Sequence, residues 1–184
     1  AGPADGERTS MLLLLSRVAL GRSRQRDATR FLGQALELAS AQKDRAGEAR
    51  AHFALGRLRL EDGDARTALG TLEKAAALAL DRVRDPSFLV DVHLTRAQAL
   101  RSIGDPAAAR GALDRAREAA EKTGAKGLVA KVVAAMAEMA DATEPSRAAD
   151  LYRDAARLAA EAGDASGAHE WQRRGRVSQA RQAG

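Results

Sequence analysis

Bulky and tiny apolar side chains recur at helical spacing along this chain, in blocks separated by short charged or glycine-containing breaks. Three blocks repeat one another: residues 54–69, 95–110 and 134–149 each read as the end of a helix, a tight turn, and a second helix opening on Ala. In the turns Gly63-Asp64 and Gly104-Asp105, a residue that tolerates positive φ ends one helix and a carboxylate caps the next. Gly163-Asp164 carries the same signal and starts a last helix. The pattern predicts helix pairs at about 9–20 with 27–42, 46–61 with 65–81, 87–102 with 106–122, and 126–141 with 146–162. A single helix follows at 165–181, and residues 1–8 are expected to be a disordered lead-in.

In the second helices Leu36, Leu72, Leu113 and Tyr152 are expected in equivalent places, each followed three residues later by Ala39, Ala75, Ala116 or Ala155. Their spacings of 36, 41 and 39 residues suit a two-helix unit whose length varies in its loops. A large side chain fills the gap between paired helices, and Ala one turn later lets the neighbour approach. Gly56 and Ala97 recur in the first helices. Because Gly in mid-helix costs about 1 kcal/mol relative to Ala, Gly56 marks a place where two helices nearly touch.

Composition supports an all-helical chain. Hydrophobic residues make up 45% of the 184 positions but aromatics only 3%, so the apolar content is mainly Ala and Leu, both strong helix formers. β-Branched residues, the usual material of strands, are sparse. Pro3, Pro86, Pro106 and Pro145 stand beside breaks, where helices start or stop. The 30 basic and 25 acidic residues are interspersed, so a net charge of +5 leaves no nucleic-acid footprint. With no cysteine there is no disulfide or thiolate zinc site, which fits a reducing compartment, and a cytoplasmic location is expected. The apolar run from Met11 to Leu20 is interrupted by Ser16 and Arg17. It is too short for a membrane span of about 20 residues, and no membrane partner is expected. The chain opens without an initiator methionine and is expected to be part of something larger.

The chain resembles the tetratricopeptide repeat family, in the roughly 40-residue variety of bacterial regulators and cell-polarity scaffolds. The second unit carries Leu55, Gly56, Gly63, Asp64, Ala68, Leu72 and Ala75. The third carries Ala97, Leu100, Gly104, Asp105, Ala109, Leu113 and Ala116, and the fourth Met136, Ala148, Tyr152 and Ala155. In the first unit Leu32 stands where a small residue is expected. The likeness spans residues 9–181 and implies a right-handed α–α superhelix, a solenoid of about four helix-turn-helix units closed by a C-terminal capping helix.

It also implies a concave groove lined by first-helix residues. These are Leu14, Arg17 and Arg24 in the first unit, then Arg50, Phe53, Arg57 and Leu60 in the second. Asp91, Leu94, Gln98 and Arg101 follow in the third, and Ala130, Val133, Ala137 and Asp141 in the fourth. The groove is thus expected to be arginine-rich toward the N-terminus and nearly apolar toward the C-terminus. Arginine's planar fork suits carboxylates, so the expected partner is a protein or an acidic peptide, although the same arginines also read as a solvated face. The function implied is that of an interaction scaffold, a regulatory part of a larger protein, with no catalysis and no cofactor. Two alternatives are a nucleic-acid-binding repeat that uses the arginine face, and an intramolecular regulator of a fused domain. Some relatives grip their ligands through paired asparagines, and this sequence has no asparagine.

His52 and His93 stand 41 residues apart without a third candidate metal ligand, so both read as packing residues. Met136 and Met139 read as core filler. Trp171, beside His169, is read as covering the open end of the last pair, with a partner anchor as the other reading. Arg173, Arg174, Arg176 and Arg181 form a basic tail. No phosphate loop, nucleophile elbow or paired carboxylates follow a strand.

Overall fold

The computed structural model describes residues 3–80 and 85–182, and among them there are nine α-helices and no strand. They are α1 Pro3–Gly21, α2 Gln25–Ala41, α3 Arg45–Glu61, α4 Ala65–Leu78, α5 Pro86–Ser102, α6 Pro106–Thr123, α7 Lys126–Ala140, α8 Pro145–Glu161 and α9 Ala165–Gln182. Residues 1 and 2 of the expected lead-in, and residue 81 at the expected end of the fourth helix, lie outside the described residues. The rest of the lead-in, residues 3–8, is helical instead of disordered. Proline's fixed φ suits the opening position of a helix, and Thr9, already buried, anchors the next turn by packing.

Local chemistry sets the other boundaries. Asp44, Asp64, Asp85, Asp105 and Asp164 each accept a backbone N–H two or three residues on, at 2.9–3.3 Å, satisfying donors that a helix start leaves unpaired. Gly63 and Gly104 turn the chain at φ of +84° and +82°. The next N–H, on Asp64 or Asp105, then donates 2.9 Å back to the carbonyl of Arg59 or Leu100. Ser23 and Lys43 hold the same left-handed place at φ of +57° without being glycine.

These caps fix the register of the repeat and correct it in the first unit. Leu72, Leu113 and Tyr152 each lie eight residues after an N-cap (Asp64, Asp105 and Glu144) and are buried. Counting from the N-cap Arg24, the matching residue is Leu32, fully buried, and not Leu36, which is half-buried. The spacing becomes 40, 41 and 39 residues. The pairs Leu32/Ala35 and Leu36/Ala39 carry the same i, i+3 signal one turn apart, so the pattern alone left two registers. Ala28 takes the place of Ala68, Ala109 and Ala148, so the first unit does have a small residue there, and all four are fully buried.

Each helix packs chiefly on its neighbours in the chain, and beyond those the odd-numbered helices touch in succession: α1 with α3, α3 with α5, and α5 with α7. No two even-numbered helices meet to a comparable extent among the described residues. The helices therefore form two rows, with the odd row the more closely spaced. The core between them is mainly alanine, with single large residues such as Leu72, Val90 and Val132 at the centres. Alanine permits this close approach because little side chain separates the backbones. Among the described residues, no helix is long and apolar enough to cross a membrane.

Candidate binding groove

The odd row carries the largest recess with mixed chemistry, a groove of about 490 Å³ along α3, α5 and α7 that ends at Trp171 of α9. Helical spacing builds it. Asp91, Leu94, Gln98 and Arg101 sit at i, i+3, i+7 and i+10 of α5 and share one face. Phe53 and Arg57 do the same at i, i+4 of α3. The structure thus brings together five expected lining residues, Phe53, Arg57, Leu94, Gln98 and Arg101, and adds Asp91.

Four others do not line this groove. Arg24 is the N-cap of α2, in the turn after α1, and so is not on a first-helix face at all. Arg17 on α1 and Arg50 on α3 are exposed but point elsewhere, and Leu60 is half-buried near the end of α3. Leu14 lies on an exposed face of α1.

In α7 the expected lining was shifted by one residue. Ala130, Val133 and Ala137 are buried against α8, in clusters with Ala159, Ala155 and Tyr152 respectively. The groove instead receives Lys131, Ala134 and Glu138. The N-cap of α7, Ala125, lies 40 residues after Asp85, whereas Asp85 lies 41 after Asp44, and Ala125 makes no side-chain cap that could mark the start in the sequence. The C-terminal half of the groove is therefore charged, not nearly apolar.

Electrostatics divides the groove. Lys131 bridges α7 to α5 through a 2.8 Å ion pair with Asp91. Glu138 is paired with Arg174 of α9, which also holds Glu170 at 2.8 Å. Asp141, at the end of α7, accepts from Ser178 and pairs with Arg181 at 2.7 Å. Arg173 is likewise held by Glu170, at 3.0 Å, so much of the basic tail is neutralised by carboxylates. At the other end Arg57 stands 5.9 Å over the Phe53 ring, which meets Phe88 edge-on at 5.4 Å. Its only ion pair among the described residues is a 3.6 Å contact with the exposed Glu61, while Arg101 makes none among them. The cationic capacity left for a ligand is that of Arg57 and Arg101, beside an apolar floor of Leu94, Ala97, Leu113, Ala134 and Met139.

Trp171 serves two surfaces at once. It packs against the clusters around Tyr152, Ala159 and Val133, and it also lines the groove. His169 beside it is exposed. Met136 packs against the core, as does Met139 from the groove wall. His93 is buried, and its proton affinity falls to a pKa of about 4, first through burial and then through Arg96 and Arg115. His52 is lowered too, by burial and then by Lys74. No group of three metal-ligating side chains exists among the described residues. Lys131, Glu138 and Met139 were the groove residues missed in the sequence. Their partners lie about 40 residues away, and the repeat period itself was the signal that could have found them. Compared with models of known protein families and with curated proteins, the chain matches none.

Proposed function

We propose that this chain is a tetratricopeptide-type repeat, curved toward its odd-numbered helices, that holds an acidic peptide or protein segment in the groove of α3, α5 and α7. One observation carries the reading. Arg57 and Arg101, from successive first-type helices, are the cations least committed to carboxylates, and they flank an apolar floor wide enough for side chains. Guanidinium groups present paired donors to carboxylates, and the floor buries apolar anchors between them. The successive odd helices and the 39- to 41-residue spacing of buried Leu or Tyr support the repeat assignment. The nucleic-acid reading draws less support, because Lys131, Arg174 and Arg181 are already paired.

The test is a peptide-display selection on the wild-type chain. Selected peptides should be acidic with apolar anchors, and they should lose at least about tenfold in affinity for the double variant Arg57→Glu/Arg101→Glu, a difference of about 1.4 kcal/mol or more. Peptides that bind the double variant as well as the wild type would refute the groove assignment.

A further inference from the structure

We propose that the outward face of α1 pairs with the same face of a second copy of this chain, as an antiparallel helix pair about a twofold axis. The repeat shows what this face lacks. Ala51, Val92 and Val132 occupy one equivalent place in α3, α5 and α7, 41 and 40 residues apart, and all three are fully buried. Val92 is covered by Ala75 and Ala76 of the preceding helix, and Val132 belongs to the cluster that includes Ala116 and Ala120. The same place on α1 is Met11, 62% exposed. Leu58, nearly fully buried, is matched on α1 by Val18, 44% exposed. With Leu14 at 55% and Leu15 at 39%, one helix carries four large exposed apolar side chains. Contiguous patches of this kind mark contact surfaces.

The pattern of the face suits a copy of itself. Met11, Leu14 and Val18 step by three and then four residues, the spacing that keeps an apolar seam turned toward a neighbouring helix. Glu7 lies four residues before Met11 and Arg22 four after Val18, and both are exposed. Antiparallel pairing centred on Leu14 and Leu15 sets Met11 against Val18 of the second copy and Glu7 against its Arg22. Twofold symmetry makes each of these contacts twice. Beside the seam, a cleft of about 560 Å³ walled by Met11, Leu12, Leu15 and Leu38 gives room for the side chains of the second copy. The groove of α3, α5 and α7 takes no part.

The experiment measures mass in solution by light scattering at micromolar concentration. The wild-type chain should show twice its 19.4 kDa. Leu14→Glu should show the single-chain mass with unchanged helical circular dichroism. Glu7→Arg should weaken the dimer severalfold, and Glu7→Arg/Arg22→Glu should restore it, which a loss of folding could not do. A single-chain mass for the wild type, which would leave the face to a different partner, overturns the proposal. So does a dimer that survives Leu14→Glu, or a double reversal no tighter than Glu7→Arg alone.

Discussion

Gly56 of α3 faces Leu72 of α4 so closely that a Cβ added to the glycine would lie 2.6 Å from Leu72 Cγ. Leu72 is fully buried and has no room to retreat. The glycine is therefore the contact point of the second pair, the role that its cost in mid-helix implies.

Replacing Gly56 by Ala should destabilise the chain although Ala is the better helix former. Overpacking costs about 1–3 kcal/mol, against roughly 1 kcal/mol of recovered helix propensity, and the branched carbon of Leu72 is not a flexible tip that could move aside. Thermal unfolding reads the difference. A raised midpoint would show that α3 and α4 have slack at this point.

The corrected register makes a paired prediction in α2. Leu32→Ala should cost about 2–5 kcal/mol as a cavity between helices, whereas Leu36→Ala, at a half-buried site, should cost well under half as much. Urea unfolding of the two variants decides between registers. Equal losses would return the repeat to the spacing first read from the pattern.

Stability should fall with acid through His93. In the unfolded chain the imidazole takes up its proton near 6.5, and in the folded chain only near 4. Between those values the unfolded state binds more protons. The contribution of neutral His93 is therefore fully present above pH 6.5 and is lost as pH drops toward 4, by about 1–3 kcal/mol in all. Arg96, whose Nη1 lies 3.5 Å from His93 Nδ1 and which also contacts Glu73, keeps a second positive charge unwelcome there. His93→Gln should flatten the unfolding midpoint across this window. An equally steep profile in the variant would assign the titration to another group.

The parts of the fold that were legible are those written in local chemistry. The starts of α4, α6 and α9 were readable because Gly63-Asp64, Gly104-Asp105 and Gly163-Asp164 state the turn and the cap in two residues. The face of α5 was readable because it follows from spacing alone. α7 was misplaced by one residue because it opens on Ala125 without a side-chain cap. Arg24 entered the expected groove because its turn, built on Ser23 at positive φ, lacks the glycine that marks the others. The 2.8 Å link between Lys131 and Asp91 joins residues 40 apart, and only a register correct to a single position would have set them side by side.

The packing of each helix on its near neighbours limits how far damage travels. No single closing contact commits the whole chain at once, so its cooperativity is the sum of many local agreements. A lesion at the α3–α4 contact is free to melt that pair while α7, α8 and α9 keep their protection against hydrogen exchange, and such a chain comes apart in sections, as an unlatched row does.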